Sequence, residues 1–280
     1  MKNLLKTGYF LFLLLFVSSC AQLNKLDLAQ RSFSEGATIE NNAQMLQQLT
    51  AVSPEAYYKI AYASVQESLK KSGKLKEDGL LGNAYTLKSL CEWKLGKYDL
   101  ASDNAKIALT YLVDKNNPNA LLTRDGAVMK SMDALINLEQ LNALVFDSLN
   151  KKEVIDSVIF KQFFNTQLWG NRVEKKGELR QSFEAINSVL TQVPRRHEVR
   201  NYLVMSMLTG MKNWGDALHY LNNNLKKLEG AEKEVMKAYY NKENDIFEKE
   251  KKVLLRQFSK LLVEGKESQV YKYWAYMLGA

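Results

Sequence analysis

The sequence predicts an all-α protein, an irregular α-solenoid of stacked helical hairpins that ends in a C-terminal capping helix. Only 3 prolines and 14 glycines stand in 280 residues, far too few for the many turns of a sandwich or barrel. Apolar residues recur at helical spacing along nearly the whole chain beyond residue 27. Even in Glu153–Phe160, the one stretch rich in β-branched residues, the apolar pairs 154/155 and 158/159 lie four apart. A helix–turn–helix pattern also occurs twice with one spacing. With 46% hydrophobic and 25% charged residues, the chain has the composition of a folded protein with its own core. That argues against disorder and multi-span membrane classes and removes the need for a disulfide or metal staple.

Residues 1–19 differ from everything after them. Lys2 and Lys6 form a basic start, Tyr9–Val17 is a run of nine apolar residues, and Ser18-Ser19 precede Cys20. As a helix this run extends about 14 Å against a hydrocarbon core of about 30 Å, so it reads as a cleaved export signal and not as a permanent span. The run Val17-Ser18-Ser19-Cys20 resembles the lipobox of bacterial lipoproteins. The resemblance implies that the Cys20 thiol receives a diacylglyceryl group and that Cys20 becomes the new N-terminus, with acyl chains such as palmitate. Residues 20–27 are then a short linker from lipid to an α-helical domain over 28–280. In a diderm, Ala21 in place of Asp after the cysteine is compatible with the outer membrane, facing the periplasm. The competing reading of Cys20 is a small residue at a conventional cleavage site. Two or more chains, at about 0.8 kcal/mol per buried methylene, would hold the mature protein to a bilayer.

With Cys20 acylated, Cys91 is the remaining cysteine and no intramolecular disulfide can form. It lies in an apolar helical stretch and reads as a buried core thiol. Removing residues 1–19 takes two lysines and no acid from a chain of net charge +8, leaving +6. The cations alternate with acids, as in Lys233-Glu234, Lys242-Glu243 and Glu248–Lys252. That pattern marks solvated helix faces, and no nucleic-acid partner is expected.

Pro54, Pro118 and Pro194 separate the helical stretches, since proline is disfavoured inside a helix and accepted in its first turn. From Tyr85 to Leu109 an apolar helix ends at Trp93-Lys94-Leu95-Gly96, and a second follows with Ala101, Ala105, Ala108 and Leu109. From Tyr202 to Leu225 an apolar helix ends at Met211, a turn is expected over Lys212–Asp216, and Ala217, Leu221 and Leu225 follow. Aligned on Tyr98 and Trp214, both segments show an alanine three residues on and a leucine eleven residues on. In each hairpin the aromatic wedges between the helices, and the alanine lets them approach. Beyond these, Ile246, Val253, Leu254, Phe258, Leu261 and Leu262 form one apolar stripe. The Tyr271–Tyr276 cluster reads as a capping helix or as an exposed aromatic patch.

These residues resemble the tetratricopeptide repeat family. Gly96, Tyr98, Ala101, Ala108 and Leu109 match signature positions over residues 82–109, and Trp214, Ala217 and Leu225 match over 198–225. Ser89, Met205 and Asn224 depart from the pattern. The 116 residues from Tyr98 to Trp214 are not a multiple of the usual period of about 34. The competing architecture is a non-repetitive bundle in which two hairpins use similar turns. The resemblance implies a concave groove lined by Asn83, Thr86, Leu90, Trp93 and Lys94 in one unit and by Val199, Tyr202, Ser206 and Thr209 in the other. Trp93 and Tyr202 would be the anchors, and burial between hairpins is the alternative for Trp93.

Signals for catalysis are sparse. The two histidines, His197 and His219, form no metal-binding pattern, and no phosphate loop, dinucleotide fingerprint or nucleophile elbow is present. Carboxylates such as Asp125, Asp133, Glu139, Asp147 and Glu153 have no spacing that separates an acid–base pair from solvent-facing residues. The expectation is therefore a non-catalytic, cofactor-free, membrane-anchored scaffold that binds an envelope protein or peptide. The alternative is a lipoprotein solute receptor or transport accessory with a small-molecule ligand, and an α-helical envelope enzyme ranks below both.

Overall fold

The computed structural model describes residues 22–40, 53–114, 116–117, 120–140, 169–171, 175–195 and 197–280. Cys20 and the rest of the lipobox, Pro118, Asp147 and the segment 153–160 lie outside those residues. Among the described residues the regular structure is helical except for one ladder of two-residue strands, so the all-α expectation holds. The chain divides into two compact units, residues 1–132 and 133–280.

The first unit begins with α1 (22–40), so residues 22–27, expected as linker, are helical. Helix α2 (Pro54–Leu69) starts where the sequence places it: Pro54 occupies the first turn, and the Ser53 hydroxyl accepts from the Glu55 amide at 3.3 Å. Next come the short α3 (Ser72–Glu77) and the expected hairpin of α4 (Leu81–Lys94) and α5 (Tyr98–Leu112). Gly96 adopts φ +70°, the left-handed region open to glycine at little cost. Its amide donates to the Trp93 carbonyl at 3.0 Å and that of Lys97 to the Glu92 carbonyl at 2.8 Å, which closes α4 as a Schellman cap. Ser89 and Ala101, both fully buried, meet where the helices cross, and the Ser89 hydroxyl donates to the Ala101 carbonyl at 2.7 Å. The core gathers Ala29, Ala61, Val65, Leu75, Leu81, Ala84, Leu87 and Cys91. Helix α6 (Arg124–Lys130), capped by Thr123, packs on α5.

The second unit opens in α7 (132–140). The antiparallel ladder of β1 (Gly170–Asn171) and β2 (Lys175–Lys176) pairs Gly170 with Lys176. Then follow α8 (Glu178–Thr191), α9 (Val199–Leu225), α10 (Gly230–Ser259), a 3-10 turn at Gly265–Glu267 and α11 (Gln269–Met277). Here the structure corrects the sequence. The predicted turn at Lys212–Asp216 does not exist, because α9 is one helix of 27 residues. Its buried positions Leu203, Met207, Gly210, Trp214, Ala217, Leu221 and Leu225 keep one stripe through the site of the expected reversal. Lys212 and Asp216 form an ion pair across it, one helical turn apart. Gly215 serves packing instead of turning: a Cβ there would sit 3.0 Å from Phe247 Cζ. The second hairpin of the sequence reading is therefore absent, and the hairpin that exists is the longer one of α9 and α10, turning at Gly230 with φ +65°.

The apolar stripe of α10 is also rotated from expectation. Met236, Glu243, Phe247, Lys251, Leu254 and Phe258 are buried, Val253 is exposed, and Ile246, Leu261 and Leu262 are half-buried. Two charged residues occupy inward positions, which hides the true phase from a count of apolar residues. Helix α11 packs on α10. The Lys251 ammonium donates to the carbonyls of Leu278 at 3.1 Å and Gly279 at 3.4 Å, just past the end of α11, and pairs with Glu248 at 2.6 Å.

Candidate functional site

Each expected groove residue has a defined place. Thr86 and Trp93 are buried, at 4% and 7% exposure, because α4 packs against α2, α3, α5 and α6. Leu90 is half-buried, and exposed Asn83 donates to Asp125 of α6 at 2.8 Å. Lys94 donates to Glu40 at 2.9 Å and lies 4.7 Å from the Trp93 ring centroid, and the Tyr58 hydroxyl also binds Glu40. Thr86 and Trp93 thus belong to the interior, and burial is the correct alternative for Trp93, while Asn83, Leu90 and Lys94 stay at least partly exposed. In the second unit Val199 is buried, Ser206 half-buried, and Tyr202 and Thr209 exposed. Ser206 and Thr209 donate to the Tyr202 and Met205 carbonyls of their own helix, at 3.0 and 3.2 Å.

Beneath the α4 surface lies a buried polar cluster that carries no expected role. Glu92 is fully buried. It accepts from Asn104 of α5 at 2.7 Å and from Tyr62 of α2 at 3.3 Å, with the Lys88 ammonium 3.8 Å away. Burial pushes its carboxyl above the usual range, and Lys88, Asn104, Tyr62 and Lys97 oppose that push. These contacts join α2, α4 and α5, so the cluster ties three helices together. Neighbouring Cys91 is buried as expected, and desolvation first, then Glu92, pushes its thiol up to about 12.

The second unit contains a cleft of about 560 Å³ between α8 and α10, lined by Trp169, Arg180, Phe183, Glu184, Asn187, Ile246, Lys249 and Glu250. Its base is aromatic. Trp169 stacks on Trp214 with centroids 4.9 Å apart and meets the edge of Phe183 at 6.0 Å, while Phe247 abuts Trp214 at 5.4 Å. The ladder fixes Trp169, whose carbonyl accepts from the Gly177 amide at 3.1 Å. Arg180, Phe183, Glu184 and Asn187 project from α8 at spacings of three and four, the condition for sharing one helix face. Ile246, Lys249 and Glu250 do the same from α10.

The polar groups carry both signs of charge. Arg180 Nε donates to Glu184 at 3.1 Å, and its guanidinium carbon lies 5.9 Å from the Trp169 centroid. Burial raises the Glu250 carboxyl, and the Arg180 charge partly restores it. Glu178, at the start of α8, is raised by burial alone. The cleft thus offers a fork of donors and a carboxylate acceptor above an apolar floor. No group of three or more metal-ligating side chains occurs among the described residues. His197 Nδ1 accepts from the Val199 amide at 3.2 Å and His219 shares a contact with Asn223 at 3.1 Å, both local helix roles.

No family model, curated protein or solved structure matches this chain. Of the cleft residues, the sequence marks Ile246 as part of an apolar stripe and Lys249 and Glu250 as part of the charged run Glu248–Lys252, and none of them as a site. The face Arg180-Phe183-Glu184-Asn187 is visible as a spacing, but nothing local distinguishes it from any amphipathic helix. The partner face on α10 and the single tryptophan supplied from before the ladder become neighbours only in the fold.

Proposed function

We propose that the protein is a lipid-anchored envelope protein, tethered through Cys20, that binds a segment of another envelope protein or a peptide. The observation that carries the binding reading is the α8–α10 cleft. Its wall on α8 runs from Arg180 to Asn187, about 10 Å at 1.5 Å per residue, the length of about three extended residues. The mixed charge suits a peptide. Arg180 would take a carboxylate in a forked arrangement, Glu250 an amine or amide, and the floor of Trp169, Phe183 and Ile246 an apolar side chain. We read the first unit as a short repeat-like array, because α2, α4, α5 and α6 pack each on the next. This moves the binding surface away from the α4 and α9 residues that the tetratricopeptide resemblance implied.

A photo-crosslinking residue at Asn187 in the acylated protein tests this in its native envelope. Discrete adducts with an envelope polypeptide are expected, and Arg180→Glu should abolish them. Adducts that survive Arg180→Glu and also form from Tyr202 would remove the cleft from the interaction. The cleft volume also favours a second reading, since about 560 Å³ lies within the range of small-molecule sites. A clean protein with an unidentified small molecule retained after native purification would decide for that one.

A further inference from the structure

Helix α11 contains Tyr271, Tyr273, Trp274 and Tyr276 among its nine residues, and not one of the nine is buried. Val270, Tyr273 and Tyr276 are 42%, 50% and 82% exposed. At 100° per residue these three positions span about 120° of the helix circumference, so they form one face. The end of the helix is anchored. Lys251 grips the carbonyls just past the helix end, Leu278 is buried behind it, and Trp274 meets Tyr273 edge to face at 5.6 Å.

The composition of this face is specific. The face carries two tyrosines, with half-buried Trp274 beside it, and such amphipathic rings with a polar tip favour the headgroup layer of a bilayer. The charge of the C-terminal stretch fits the same layer. From residue 256 onward four cations, Arg256, Lys260, Lys266 and Lys272, stand against two carboxylates, Glu264 and Glu267. Lys272 pairs with Glu267 at 3.0 Å, while Lys260 and Lys266 are exposed and have no ion-pair partner among the described residues. We infer that α11 is a second membrane contact, its Val270–Tyr273–Tyr276 face lying in the headgroup region of an anionic bilayer. This rests on the tethered reading for bringing a bilayer within reach, and it adds a contact that the acyl chains do not supply. An interfacial helix of this kind gains from buried apolar area and from attraction to anionic lipid.

The experiment uses the full, acylated chain carrying Tyr276→Cys, labelled there with an environment-sensitive fluorophore while Cys91 stays buried. It is reconstituted into vesicles of phosphatidylglycerol with phosphatidylethanolamine, or of phosphatidylcholine alone, and quenched with neutral acrylamide. Expected is quenching about threefold weaker or more on the anionic vesicles, an advantage lost in high salt or with Lys260→Glu and Lys266→Glu. A label at Asp245→Cys should show no difference. Protein that floats with both vesicle types but is quenched equally on both overturns the α11 contact and leaves the tether standing. Protein that fails to float overturns both. Shielding that develops without vesicles as protein concentration and mass rise assigns the face to a second copy and overturns the membrane contact.

Discussion

Glu92 and Glu243 are both buried carboxylates, and their surroundings give them opposite consequences. Glu92 has Asn104, Tyr62 and Lys88 around it, so Glu92→Ala removes the acceptor shared by Asn104 and Tyr62 and the charge facing Lys88, which keeps its bond to Asn104 Oδ1. A loss of about 3 kcal/mol is expected in a urea unfolding titration. Glu243 is 5% exposed with Oε2 unpartnered, and burial raises its carboxyl to about 7 from 4.5. The folded state therefore holds this proton more tightly than the unfolded chain does. The stabilisation is complete below the unfolded value and is lost as pH rises through the folded one. Glu243→Gln should leave the melting temperature unchanged at pH 4 and raise it at pH 8, by up to about 3 kcal/mol of stability. An equal effect at both pH values would mean that the carboxyl titrates normally. Cys91, with its thiol pushed up to about 12, should react with an aromatic disulfide reagent only when the protein is unfolded.

Two glycines separate a turn from a helix at the scale of elements. At Gly96 the backbone is left-handed and nothing lies within 4 Å of an added Cβ. Gly96→Ala should therefore cost about 1 kcal/mol through backbone strain alone. Gly215 lies inside α9 against Phe247. Gly215→Pro removes a helix hydrogen bond at the middle of the long α9–α10 hairpin, and should destabilise by about 3 kcal/mol or more with loss of helical circular dichroism. Were residues 212–216 a turn, proline would be tolerated there. The first hairpin was legible because its turn carries a glycine with no helical alternative: residues 95–97 cap α4 with their own backbone. The second was misread because the same residue types, an aromatic with glycine and alanine near it, also make a close crossing between two straight helices. Gly215 is small so that Phe247 of α10 can approach. The α10 register was missed for a related reason, since Glu243 and Lys251 take inward positions that a hydrophobic count assigns to solvent.

Across the whole molecule, the two units carry different kinds of information. In the first, the proline and glycine signals were sufficient to place the start of α2 at Pro54 and the turn between α4 and α5 at Gly96, and the apolar stretch put Cys91 in the core, where it is found. In the second, Trp169, Arg180 and Glu250 form a cleft from segments distant in sequence, and the resemblance to a repeat family pointed to other residues. Replacing Cys20 with Ala should release the protein from the membrane fraction if the tether is its anchor, leaving only the weaker, salt-sensitive attachment of α11. The helical class follows from local chemistry: few turn formers, apolar spacing of three and four, and caps made by neighbouring residues, all of which act within one or two turns. Which helix faces meet, whether Trp93 is a surface or an interior, and where a charged cleft opens are decided by packing between segments far apart in sequence. Burial depends on which surface arrives to cover a side chain, and that surface is fixed only when the whole unit has folded.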